Sequence, residues 1–346
     1  MKKSLVALAV LAASGAAMAQ SSVTLFGNMD ARYASGSGSV SNKTQLAKNG
    51  MSSSAFGVRG TEDLGGGLKA HFHLEADVGA DDGTGGATNS NNQAVTALTS
   101  AGTQGLTFNR KATVGVQGSM GELRLGRDYS PQFYPDAQYD PFGTNGVASN
   151  LIAYGGGLTA VRASNMIAYH SPNVGGFTVM LGSYMGENNT GGAAGKAGDG
   201  NGIHVKYDNG KLALGIASAT TKTALTTEVK TSTMGGSYNF GVATVVFNSN
   251  TVSNTGLVDI EGMMIGAMIP MAGGTLKFTN ASLKQGAAET KRNAVGFVMP
   301  LSKRTSAYAT YARNGNSGGA ARSLNGAVTA ANASSTGYDF GVRHAF

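Results

Sequence analysis

The 346-residue chain has no cysteine, no tryptophan, only 6 prolines and little charge. Without cysteine there is no disulfide framework, no thiolate-ligated zinc or iron–sulfur site, and no thiol nucleophile. Asp, Glu, Lys and Arg make up 13% of the residues, about half the ~25% of an ordinary soluble domain. Long apolar runs are missing too. After residue 19 no uninterrupted stretch approaches the ~20 residues a helix needs to cross a bilayer. If such a chain enters a membrane, it must do so as a closed β-barrel, which satisfies every backbone group internally.

What is present begins with an export signal. Residues 1–19 carry Lys2 and Lys3, then an apolar run over 5–13, then Ala17, Met18 and Ala19, a small-residue ending that predicts cleavage before Gln20. Its removal lowers the basic count from 26 to 24 against 19 acids, leaving a mature charge of +5. Residues 20–346 are then a single domain.

That domain alternates with a period of two. Val23, Leu25, Met29 and Tyr33 share one parity, and Thr24, Asn28, Asp30 and Arg32 the other. Leu68, Ala70, Phe72, Leu74 and Ala76 alternate with Lys69, His71, His73, Glu75 and Asp77, and the pattern returns over 338–346. Such alternation predicts strands with one greasy and one wet face. Clusters of Gly, Asn, Asp and Pro at 63–67, 118–121, 171–176, 208–210, 239–241, 270–274 and 300–304 suit tight turns. Polar, Gly/Ser/Asn-rich connections fall between them, near 35–52, 79–109, 128–161, 186–201, 219–229, 249–258, 284–291 and 314–335. Seven turns and eight loops join sixteen strands. This predicts an all-β fold, a sixteen-stranded antiparallel transmembrane β-barrel with short periplasmic turns and long extracellular loops, embedded in the outer-membrane lipid of a Gram-negative bacterium. Tyr33, Tyr169, Tyr184, Tyr207, Tyr308 and Tyr311 lie toward strand ends, where an interfacial girdle would sit. The alternative, a secreted or surface adhesin or structural protein without channel activity, predicts a fixed repeat period, and none is found.

Several segments resemble the general porins of Gram-negative bacteria, nearest the β-proteobacterial branch. They are SVTLF with Gly27 at 22–27, GVRGTEDLGGGLKA at 57–70, RKATVGVQGSMGELRLGR at 110–127, YHSPNVGGF at 169–177 and YDFGVRHAF at 338–346. The resemblance implies a homotrimer, passive diffusion of small hydrophilic solutes and ions, and a third loop folded into the lumen as a constriction. It also implies that Phe346 is a signal read by the outer-membrane assembly machinery.

The segment 128–150 (DYSPQFYPDAQYDPFGTNGVASN) would be that loop, stiffened by Pro131, Pro135 and Pro141 and charged by Asp128, Asp136 and Asp140. Opposite it the family places wall arginines, whose transverse field orients passing solutes. Arg110 matches one such position and Arg162 lies near another, while Ala55 stands where many members carry Arg. Arg59 and Arg127 are the substitutes, with a parity that turns them partly outward. The basic excess suggests weak anion preference, against which the loop acids pull.

Other chemistry finds little footing. His71 and His73 share a strand face but lack a third ligand, so they read as pore-lining groups, with no metal or cofactor expected. No Ser, His and acid cluster in the sequence, so no enzyme is expected. A charge of +5 without a basic run gives no case for nucleic acid.

Overall fold

In the computed structural model the described residues are 21–93, 105–150, 159–189, 191, 195–223 and 226–346. The expected export signal at 1–19 lies outside them. The strands are β1 (Ser22–Ser37), β2 (Lys43–Lys48), β3 (Ala55–Gly65), β4 (Leu68–Asp77), β5 (Lys111–Gly118), β6 (Gly121–Tyr129), β7 (Arg162–His170), β8 (Phe177–Tyr184) and β9 (Gly200–Asp208). They continue with β10 (Leu212–Lys222), β11 (Glu228–Asn239), β12 (Thr244–Asn254), β13 (Ile260–Met271), β14 (Gly274–Gln285), β15 (Ala288–Pro300), β16 (Thr305–Ser317) and β17 (Ser335–Ala345). Among the described residues a short helix, α1 (Phe133–Gln138), follows β6.

Apart from the β1–β3 region, each strand pairs antiparallel with the next, and β17 returns to β1 from Asn28↔Ala345 to Ser37↔Thr336. The sheet therefore closes on itself, as strands crossing lipid must. Seventeen segments make sixteen staves because β2 and β3 are two halves of one. β2 pairs with the upper half of β1 and β3 with the lower half, while residues 49–54 leave the ladder between them.

Alternation sorts the two faces. Val23, Leu25, Ile216, Met263, Ile265, Phe340 and Val342 are all exposed on the outer wall, where lipid would lie. Asp30, Asn248, Asn314 and Asp339 are fully buried on the inner one. All seven expected turns are tight connections at one end of the barrel. Three expected long loops shrink to 223–227, 255–259 and 286–287, because β10 to β15 continue past the apolar band. In that stretch Thr, Ser and Asn occupy both faces, so the strand persists after its polarity pattern has ended.

The girdle differs from expectation at two tyrosines. Tyr33, Tyr169 and Tyr311 are exposed outside, and Tyr207 packs there on Phe177 at 4.7 Å. Tyr184 and Tyr308 instead turn inward and are buried, because their hydroxyls bond Thr221 and Asp30 on the inner wall.

Candidate functional site: the constricted lumen

The segment after β6 folds into the barrel. α1 packs on the inner face of β10, β11 and β12, and the stretch after it follows the wall round to β17. The wall accommodates this loop by omitting side chains beneath it. A Cβ on Gly182 or Gly202 would approach the Pro131 ring to 3.2 and 3.1 Å. One on Gly235 would reach Tyr139 at 2.5 Å, on Gly266 Pro141 at 2.8 Å, on Gly296 Phe142 at 2.7 Å and on Gly337 Val147 at 2.8 Å. A track of inner-wall glycines thus lets the loop backbone lie close against the barrel. Phe142, Val147 and Ala148 pack there with Ala294, Ala312 and Leu324, the last contributed by the final loop.

Polar anchors fix the same path. Asn248 Nδ2 donates to the Pro135 carbonyl at 3.0 Å, Lys277 Nζ to Pro141 at 2.6 Å, and Arg292 Nη1 to Ser149 at 2.6 Å. The Val147 N–H donates to Asp339 Oδ2 at 2.7 Å, and Arg32 pairs with the other oxygen of that carboxylate.

The three acids were expected on the loop, facing the wall arginines across the passage; Asp136 and Asp140 are instead turned away from it, and Asp128 stands on β6 itself. Asp128 is buried between Lys111 Nζ at 2.8 Å and Arg124 Nη1 at 2.5 Å. Asp140 accepts the N–H groups of Phe142, Thr144 and Asn150 at 2.8 to 3.0 Å, and burial raises its pKa. Asp136 is buried against β12, accepts from Asn250 Nδ2 at 3.0 Å, and is pushed up to about 7 by desolvation. Its Oδ1 and the Oδ1 atoms of Asn248 and Asn250 are buried acceptors with no donor among the described residues. One proton on Asp136 would supply that missing donor.

A pH prediction follows. Because burial holds the Asp136 proton more tightly than an unfolded chain does, loop docking loses stability as pH rises from about 4 to about 7. In detergent, the heat-unfolding advantage of Asp136→Asn over the native protein should be small at pH 4, grow up to pH 7 and then level off. An advantage independent of pH would contradict a neutral Asp136.

Between loop and wall runs a cavity of about 460 Å³. Arg110 and Arg162 line it from the barrel side, and Phe133, Ala137, Thr144 and Asn145 from the loop. Arg110 Nε sits 2.5 Å from Glu75 Oε1, and His73 holds the other Glu75 oxygen at 3.2 Å. Arg162 stacks on the Tyr129 ring at 4.7 Å and donates to its hydroxyl at 3.2 Å. Among the described residues it has no carboxylate partner. Asp77, also on the cavity, is paired with Lys48 at 2.5 Å.

Arg59 was expected to turn partly outward. The structure places it opposite His73 in the β3–β4 ladder, and it lines a second inner-wall cavity with His71, Lys111 and Arg124. It lies over the Phe26 ring at 5.0 Å and likewise has no ion-pair partner among the described residues. Arg127 serves a different surface. A kink at Gly126, where φ is +123°, redirects it to donate to the Asn109 and Asn89 carbonyls and Ser164 Oγ, tying the second long loop to β7. His71 Nε2 stands 3.0 Å from Glu122 Oε1. Phe346 exchanges backbone hydrogen bonds with Gly27 at 3.0 and 3.1 Å where the barrel closes. Sequence reasoning did not assign roles to Asp30, Asp339, Lys277 or Arg292; inward parity was their only local signal.

Comparison with known proteins agrees with this geometry. The Gram-negative porin family matches residues 4–319. The chain is 38% identical to outer membrane porin protein 32 of Delftia acidovorans and 27% identical to an outer membrane porin of Bordetella pertussis, each over the full length of both chains. Among solved structures, an anion-selective porin from Comamonas acidovorans superposes with a TM-score of 0.82 at 34% identity, covering 94% of this chain and all of that one. A closed barrel with a polar, loop-narrowed lumen and full-length likeness to outer-membrane channels leads to one conclusion: the chain belongs to the Gram-negative porin family, whose members are outer-membrane channels.

Proposed function

We propose that this channel passes small hydrophilic solutes by passive diffusion and favours anions, with Arg110 and Arg162 setting the preference at the narrowest section and Arg59 extending it along the wall. One observation carries the reading. Of the charges on the passage, each carboxylate is already paired with a base, whereas Arg162, which rests on Tyr129, has no carboxylate partner among the described residues. Asp136 and Asp140, buried and hydrogen-bonded, position the loop, Asp128 is paired with Lys111 and Arg124 on the wall, and the three contribute little negative field. The anion selectivity of the Comamonas acidovorans relative supports the same sign.

Two further features belong to this reading. Exposed at the barrel seam, the Phe346 side chain suits recognition by an assembly machine. Trimerisation is inferred from membership of the family; a related fold, OmpT of Vibrio cholerae, is described in a trimer form.

Proteoliposomes test the diffusion claim. They should swell in isotonic small sugars, at rates that fall steeply as the sugar grows. No swelling even in the smallest sugar would contradict it.

A further inference from the structure

We propose that residues 49–54 form a second jaw of the constriction, facing the same passage as the third loop, and that Asp30 is the positioning residue that holds this jaw inward. The inference rests on the passage between loop and wall being the route of ions.

In the second stave, six residues stand against only Met29 and Asp30 of β1, so the surplus chain must leave the sheet. It goes inward. Asn49, Ser52 and Ser53 line the passage together with Thr144 and Asn145 of the third loop. A detour of this size, well beyond an ordinary one-residue bulge, would be loose without an anchor.

Asp30 is that anchor. Its side chain is fully buried, and the detour wraps it with three successive backbone donors: Gly50 N at 3.2 Å, Met51 N at 2.8 Å and Ser52 N at 2.7 Å. Such a concave run of N–H groups suits a carboxylate, which offers two acceptor oxygens and a negative charge, better than a neutral amide, which would turn an NH2 donor toward it. Tyr308, from the far end of the chain, donates its hydroxyl to Asp30 Oδ1 at 2.5 Å. Ser54 Oγ and the Asn49 N–H close the base of the detour on the Asp30 carbonyl at 3.1 and 3.0 Å.

The jaw in turn grips the third loop. The Gly146 N–H donates to the Asn49 carbonyl at 3.0 Å, and Ser53 Oγ to Asn145 Oδ1 at 3.0 Å. Gly146 has φ +67°, and a Cβ there would meet the Gly50 carbonyl oxygen at 2.3 Å, so the two backbones touch where a side chain would part them. Asp30 therefore acts on the pore through the detour, without touching solute. The expected consequence of losing its charge is a passage bounded on one side by a slack segment.

The natural absence of cysteine makes the test clean. Ser53→Cys and Asn145→Cys channels are treated in planar bilayers with a cationic thiosulfonate reagent, and unitary current is read before and after. Both should drop by about half or more, as added bulk fills the narrowest section. A drop at N145C without one at S53C would overturn the second jaw. No drop at either would overturn the route itself, and the proposal with it.

Asp30→Asn tests the positioning role on channels that have folded and inserted. Unitary conductance should rise about 1.5-fold, with added current noise. A residue needed only for folding would change the number of channels and leave the conductance of each one alone, so D30N channels with native conductance would overturn the role of Asp30.

Discussion

Gly235→Leu is expected to cut single-channel conductance by about half or more while leaving a closed, membrane-inserted barrel. Gly235 lies inside β11, paired with Gly215 of β10 and Asn248 of β12, and its inner face is covered by the Tyr139 ring. A Cβ there would sit 2.5 Å from Tyr139 Cδ2, well inside van der Waals contact, and a leucine adds three more carbons. The strand cannot retreat without breaking two ladders. The loop must therefore move toward the passage, carrying with it Asp136 on one side and Pro141 on the other. Tyr139→Ala in the same chain removes the obstacle and should restore most of the lost conductance, a coupling that two independent effects would not show. Gly235→Leu channels of native conductance would mean that the loop does not rest on this wall.

Charge reversal at Arg110 and Arg162 should produce the largest change in selectivity. Each Arg→Glu swap alters the charge beside the passage by two units, and R110E also deprives Glu75 of its 2.5 Å partner. The double variant should favour cations by about tenfold at ~0.1 M salt and much less at ~1 M, because the screening length falls from ~10 Å to ~3 Å. Arg127→Glu serves as the comparison. Its guanidinium is committed to the Asn109 and Asn89 carbonyls, so it should disturb the second loop and shift selectivity little. Equal shifts in R127E and in the double variant would show that total charge, not its placement, governs passage.

The barrel was legible in the sequence because lipid and water impose a period of two on each strand. Runs such as Leu68 to Asp77 and the seven turn clusters gave its staves and its short end. Placement of the loop acids was not legible. Asp136 is turned to the wall by Asn250, with Asn248 holding the preceding Pro135 carbonyl, both more than a hundred residues away, and no local pattern encodes which way a carboxylate on a loop will face. The inner glycines were equally silent. In sequence, glycine reads as a turn or loop residue, and only a loop laid across β8, β9, β10, β11, β13, β15 and β17 shows why side chains are missing there. The detour at 49–54 was hidden for a different reason. KTQLAK at 43–48 alternates too weakly to announce a strand, so β2 was absorbed into an expected loop at 35–52. Arg59 shows the same limit: Ala55 suggested a thinned arginine ladder, yet Arg59 stands on the inner face four residues on, opposite His73.

The proposed preference of the native channel for anions is tested most directly by its zero-current potential across a KCl gradient. Potassium and chloride move at nearly equal rates in water, so a wide neutral pore gives almost no potential. With Arg110 and Arg162 on the passage and the loop acids buried, chloride should cross more readily, and the dilute side should become negative. That potential should shrink as both solutions are made more concentrated. A dilute side that becomes positive would show that cations are favoured, contradicting a passage governed by its wall arginines.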